Sequence, residues 1–168
     1  MNPESHNTST LDTNEAKCEE NQKSYPRKPQ DAEGCLPRFY PCRLNNKERA
    51  IAEYLVELAK KGIDRTTYTD IGEIEEVDLP ANSPELFRYL GTISWVTYHN
   101  EEVFLSVLVA REDEKIPGNG FFKMVAAFRE RPYKESTNDE VFIDELKRVH
   151  EAAKEGKLDF ILTGKTLK

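Results

Sequence analysis

The residues best suited to hold a small ligand lie in the loop 117–122, which reads Pro-Gly-Asn-Gly-Phe-Phe. Gly118, Asn119 and Gly120 tolerate backbone conformations that most residues avoid, and an apolar helix is predicted to follow them. Backbone N–H groups at the start of a helix attract phosphates and carboxylates. One hypothesis is therefore an enzyme of unrecognised type that uses this loop as a ligand cradle. No Gly-Lys-Ser/Thr follows, so a plain turn between two elements is the alternative.

Side chains that commonly bind metals or act as nucleophiles are scattered along the chain. The cysteines Cys18, Cys35 and Cys42 include no Cys-x-x-Cys pair, and the three histidines are far apart. This spacing favours free thiols over a zinc site. Five acidic residues without a basic one lie in the segment 70–78. We interpret them as a solvated face, with a divalent-cation site as the alternative. No catalytic residue, metal site or cofactor is assigned.

A helix is predicted over residues 84–99, and its polar side chains suit contacts with DNA. The pair Ser83-Pro84 is a strong helix start, because a serine hydroxyl caps the first turn and proline needs no hydrogen bond there. Arg88 and Thr92 are the candidate outward residues for contacting base edges. Arg111 and Lys115, in a run of five charged residues, would contact the phosphate backbone from a wing.

The same helix carries aromatic residues that suit a protein interface. Trp95, with Tyr89 and Tyr98 nearby, is the candidate anchor, since aromatic residues contribute strongly to binding energy when a partner covers them. Packing of Trp95 in the protein's own core is the alternative interpretation.

Composition and charge narrow the class of protein. The chain has 168 residues, 38% of them hydrophobic, and a net charge of −7 at pH 7. An acidic chain is poorly suited to a broad non-specific nucleic-acid surface, because phosphate binding needs clustered lysine and arginine. No apolar run has the length of a membrane span, and no signal peptide is evident. We expect a cytoplasmic protein without a membrane partner.

The first 44 residues are polar and poor in aliphatic side chains. Such a segment buries too little apolar surface to offset its ordering entropy, so we predict a disordered or partly docked arm over residues 1–44. Its end, residues 35–42, is richer in aromatic side chains and either docks on the domain or acts as a short motif for a partner. The folded domain is predicted to span residues 45–168.

Hydrophobic periodicity predicts a mixed set of elements in that domain. Helical spacing indicates helices over about 46–61, with Gly62 as the cap, and over 84–99. The apolar run 103–110 is β-branched at alternate positions and is predicted to be a central strand. Further predictions are a short extended piece at 65–68, a short helix over 69–77, a helix after the 117–120 turn, a helix started by a Thr137–Glu140 capping box, and a strand at 158–163.

Two resemblances follow from these motifs. The residues Thr67-Tyr68-Thr69-Asp70-Ile71 and Gly91-Thr92-Ile93 resemble the rhythm of the winged-helix domain in DNA alkyltransferases and alkyltransferase-like proteins, although the Pro-Cys-His-Arg nucleophile motif is missing. The segments Leu105-Ser106-Val107-Leu108-Val109 and 117–122 more closely resemble a group of small, uncharacterised bacterial and phage-type proteins. The first resemblance and the order of the predicted elements imply an α+β, winged-helix-like domain. The apolar pattern after Thr137 adds a C-terminal amphipathic helix.

These observations lead to a ranked set of functions. The first is a non-catalytic, winged-helix-like interaction module that binds a protein partner in a regulatory role. The alternatives are a sequence-specific DNA-binding protein that uses the helix 84–99 and an enzyme that uses the loop 117–122. The oligomeric state is left open.

Overall fold

A computed structural model describes residues 44–163, and the predicted arm therefore lies outside the described residues except for Leu44. The described part is an α+β domain in which helices dominate. In chain order its elements are α1 (Asn46–Lys60), β1 (Thr66–Thr67), α2 (Tyr68–Gly72), α3 (Pro84–Glu101), a 3₁₀ helix (Leu105–Leu108), β2 (Val109–Ala110), α4 (Asn119–Phe128), a second 3₁₀ helix (Glu135–Thr137), α5 (Asn138–Lys154) and α6 (Asp159–Leu162).

Helix α1 forms as its sequence predicts. Asn45 and Glu48 make a reciprocal capping box, in which the Asn45 side chain accepts from the Glu48 N–H and the Glu48 carboxylate accepts from the Asn45 N–H. The apolar face of α1 packs against α3, α5 and α6. The helix ends where Gly62 takes a left-handed conformation, with φ of 70°. Both the helix and its predicted cap are confirmed.

The apolar run 103–110 is buried throughout, but most of it is not a strand. Residues Leu105–Leu108 form a 3₁₀ helix, and only Val109–Ala110 is extended. The Leu105 N–H donates to Thr97 Oγ1 and not to a neighbouring strand. The buried hydroxyls of Ser94 and Ser106 bond to each other. The predicted central strand was wrong, because burial on every side erases the periodic signal that separates strand from helix.

The sheet is a single pair of short parallel strands within residues 44–163. Thr66 pairs with Val109, and Thr67 pairs with Ala110. The extended piece predicted at 65–68 is therefore confirmed. Helix α2 begins directly after β1 and ends at Gly72, shorter than the predicted 69–77.

The C-terminal half is helical. Helices α4 and α5 occur where the periodicity predicts them, and Val149 and Ala153 of α5 are buried. The predicted capping box at α5 was wrong, because the Thr137 hydroxyl donates to the Lys134 carbonyl oxygen. The predicted strand at 158–163 was also wrong: this segment forms α6, whose Ile161 is buried in the core beside Leu158.

Candidate interaction face

Helix α3 carries three of the predicted site residues, and its ends are well defined. Ser83 Oγ accepts a hydrogen bond from the Glu85 N–H, and Pro84 occupies the first helical position. The helix ends before Glu102, which has a left-handed backbone with φ of 55°. The prediction of a Ser-Pro start was confirmed, and the helix runs one half-turn beyond the predicted residue 99.

One face of α3 is aromatic and only partly covered. Phe87 is 49% exposed, an unusual value for a phenylalanine in a helix that otherwise packs on the core. Gly91 and Trp95 follow Phe87 at intervals of four residues, so all three residues lie on one side of the helix. Gly91 and Trp95 are both of intermediate burial. We call these three residues, Phe87, Gly91 and Trp95, the α3 face.

Arg88 borders the α3 face and points outward as expected. Its side chain is 54% exposed, its guanidinium lies 5.1 Å from the centre of the Tyr89 ring, and a nitrogen lies 3.6 Å from a Glu85 oxygen. Exposed ion pairs of this kind contribute about 0–1 kcal/mol. The pair leaves Arg88 able to turn toward a partner.

Thr92 does not point outward, and its prediction as a base-contacting residue was wrong. It is 2% exposed, and its hydroxyl donates to the Arg88 carbonyl oxygen at 3.2 Å. It also interacts with the Glu48 carboxyl group of α1. Helix α1 therefore covers this side of α3, which the apolar pattern of α3 alone does not reveal.

Beyond Trp95 the aromatic residues continue into a packed cluster. The Trp95 ring lies 4.0 Å from the His99 ring and 5.4 Å from the Phe128 ring of α4, measured between centroids. Tyr98 stacks on Phe104 at 4.8 Å. Burial lowers the pKa of His99, which favours its neutral form. Trp95 therefore belongs both to this packed aromatic cluster and to the partly covered α3 face.

A buried ion pair closes this cluster, and sequence reasoning missed it. Arg129 donates from Nε and Nη2 to the two carboxylate oxygens of Glu145, at 3.0 and 2.9 Å, and Nη2 also donates to the Glu102 carbonyl oxygen. Glu145 is 2% exposed. Burial opposes the charge on Arg129, but the hydrogen bonds and charge of Glu145 outweigh it, and the pKa of Arg129 is raised. The only sequence signal is an acid on the otherwise apolar face of α5.

The second group of predicted residues lies in the turn after β2. Arg111 pairs with Glu114 at 2.8 Å and with Asp113 at 3.4 Å, and the turn is closed by the Lys115 N–H donating to the Arg111 carbonyl oxygen. Lys115 has a left-handed backbone with φ of 59°. The basic charge of Arg111 is therefore largely matched by acids of its own turn.

The start of α4 holds Gly118, Asn119 and Gly120. Gly118 is the N-cap residue, and no side chain caps this helix start. Asn119 ties α4 to the start of α5: its Nδ2 donates to Glu135, and its Oδ1 accepts from Asn138 at 3.2 Å. The Asn119 side chain is therefore committed to packing between helices.

Tyr68 connects the two groups of predicted residues, and sequence reasoning did not select it. Its ring packs edge-on against Phe87 at 5.4 Å, and its hydroxyl interacts with the backbone of Gly118. Burial raises the pKa of Tyr68. One tyrosine of α2 thus joins the exposed ring of α3 to the start of α4. The sequence feature that could have identified Tyr68 is its position directly after β1.

Comparisons with known proteins assign this chain to no family. No family model matches the chain, and no curated protein or solved structure is significantly similar to it. Within residues 44–163, no helix has the length and apolar character needed to cross a membrane, and no three histidine, cysteine or acidic side chains come together as metal ligands. The α3 face and its surroundings are therefore the basis for assigning function.

Proposed function

We propose that this protein is a non-catalytic interaction module, winged-helix-like in the order of its helices, that binds a protein partner through the α3 face in a regulatory role. The observation that carries the proposal is the 49% exposure of Phe87, on the same side of α3 as Trp95. Large aromatic side chains that remain partly exposed are the residues that become anchors when a partner covers them.

The support of the face by the rest of the domain favours this function. Tyr68 holds the Phe87 ring edge-on, and Phe128 packs against Trp95 from α4. An aromatic residue that is already held in place loses little conformational entropy on binding. The absence of a side chain at Gly91, between the two rings, allows a partner's side chain or backbone to approach α3 closely.

The winged-helix-like part of the proposal rests on the sequence α1, β1, α2, α3 followed by a charged turn. That turn does not lead into a neighbouring strand, because the two strands in the described region are parallel and Arg111–Lys115 folds back on itself. A wing that contacts DNA is therefore not part of the proposal.

DNA binding by α3 is the alternative, and its geometry is less favourable. Of the two predicted base-contacting residues, Arg88 is exposed and Thr92 is buried. Arg111 already pairs with two acids, and the whole chain carries 31 acidic against 24 basic residues. Specific duplex binding needs several phosphate contacts in addition to base contacts.

The test is site-specific photocrosslinking in living cells. A photoreactive phenylalanine analogue at position 87 is expected to crosslink one protein, whereas the same analogue at Ile143, an exposed apolar position on α5, is expected not to crosslink it. Equal crosslinking from both positions would contradict the proposal.

In parallel, anisotropy of labelled duplex DNA is measured across a salt series. Micromolar binding that weakens steeply with salt and is lost in Arg88→Ala would establish the DNA alternative instead.

A further inference from the structure

We propose that residues 36–42 of this chain dock on the α3 face and compete there with the protein partner. The competition rests on the proposed function, whereas the docking itself does not. The segment reads Leu-Pro-Arg-Phe-Tyr-Pro-Cys and ends two residues before the first described residue, Leu44.

The chain enters the domain beside the α3 face. Leu44 packs against the main core cluster, and Asn45 caps α1. Glu48, in the first turn of α1, interacts with Thr92 and Arg88 of α3, the helix against which α1 packs. The described chain therefore begins at the first turn of a helix that packs against α3.

The segment is long enough to cover the face. Leu44 is the fifth residue after Phe39, and an extended chain spans about 3.3–3.6 Å per residue, which gives a reach of about 17 Å. The eight residues from Phe87 to Trp95 rise about 12 Å along α3. The reach of this segment is therefore comparable with the length of the α3 face.

The chemistry of the segment matches the face. It offers two aromatic rings and a leucine, and two prolines limit the backbone freedom that docking would cost. Arg38 and the following Arg43 are basic, with no acid between residues 36 and 43, and α3 presents Glu85 near its start and Glu101 and Glu102 at its end. Because the segment is tethered, its effective concentration reaches about the millimolar range, so weak contacts suffice.

Docking is tested in the full-length protein through two natural reporters. Trp95 is the single tryptophan, and Cys18, Cys35 and Cys42 are the only cysteines, so fluorescence quenching and thiol labelling both report on named residues. We expect the Phe39→Ala/Tyr40→Ala variant to increase acrylamide quenching of Trp95 and to speed labelling of Cys42, with labelling of Cys18 unchanged. Phe87→Ala should also speed Cys42 labelling, and combining it with the double variant should add nothing further. Ile143→Ala is the matched control.

Two results would overturn the docking. The first is that Trp95 quenching and Cys42 labelling are unchanged in both variants. The second is that the combined variant changes the Cys42 labelling rate by the sum of the separate effects. Cys42 protection that disappears on dilution would show that the segment comes from a second copy and would contradict the intramolecular version.

With the crosslinked partner in hand, the Phe39→Ala/Tyr40→Ala variant should bind it about tenfold more tightly, because docking no longer occupies the face. Unchanged affinity would overturn the competition. Docking without any partner binding would leave the docking standing and contradict the proposed function.

Discussion

At the scale of single residues, the Arg129–Glu145 ion pair joins α4 to α5 and to the end of α3. Removing one partner of a buried pair leaves the other charge uncompensated. We therefore expect Glu145→Ala to lower the free energy of unfolding by about 3–5 kcal/mol. The exposed pair of Lys147 with Glu151, 3.8 Å apart, is the control, and Lys147→Ala should cost about 0–1 kcal/mol. Urea denaturation measures both, and equal losses would contradict the structural role of the buried pair.

Two carboxylates should affect stability with opposite dependence on pH. Burial raises the pKa of Glu48 above its ordinary 4.5, although hydrogen bonds from Asn45 and Thr92 oppose this. The folded state then binds more protons than the unfolded state, so this group reduces stability as pH rises above about 4.5. Glu48→Gln keeps an acceptor for the capping box, and its stability relative to the natural protein should increase from pH 4.5 to 7.

Asp70 provides the matched contrast to Glu48. The N–H and hydroxyl of Thr67 donate to its carboxylate and lower its pKa, so it contributes stability above its ordinary value of 3.8 that is lost as pH falls. Relative to the natural protein, Asp70→Asn should therefore lose stability as pH rises from below 3.8 to above it. Urea unfolding at a series of pH values checks both variants, and slopes of the same sign would contradict the two environments.

At the scale of elements, the fold could be predicted wherever one face of an element is buried and the other is not. The spacing of Ile51, Leu55 and Leu58 indicates α1, and Ser83-Pro84 locates the start of α3. The prediction failed at 103–110 and at 158–163. The first run is buried on all sides, and the second is a single short turn whose form depends on packing against α1. Tertiary contacts decide such segments, and local sequence does not encode them.

The end of α2 shows how one glycine determines an element. A Cβ atom at Gly72 would lie 2.1 Å from the Leu79 carbonyl oxygen, and the Leu79 N–H donates to the Gly72 carbonyl oxygen at 3.0 Å. Gly72→Ala must therefore displace the segment 73–79, with an expected cost of about 1–3 kcal/mol in unfolding free energy. Faster amide exchange across this segment should accompany the loss. An unchanged stability would show that the contact relaxes freely.

At the scale of the whole molecule, the residues in and around the α3 face differ in how far they could be predicted. Arg88 and Trp95 were selected from the sequence and border or form the α3 face. Thr92 was misplaced because α1 packs over it, and Tyr68 and Phe87 were missed because their contact joins separate helices. A helical pattern gives the direction of a side chain on its own helix, but it does not show which neighbouring element covers it.

The measurement that tests the central claim most directly is the affinity of the purified, crosslink-identified partner for three full-length proteins by calorimetry. All three carry Phe39→Ala/Tyr40→Ala, so that release of residues 36–42 does not offset the loss of an anchor, and the double variant itself is the reference protein. We expect Phe87→Ala to weaken binding by about 2 kcal/mol, roughly thirtyfold, because an anchor at the centre of an interface contributes this much. Ile143→Ala, the matched loss of an exposed apolar side chain, should bind as the reference protein does. Equal affinities for all three proteins would show that the α3 face is not the binding surface.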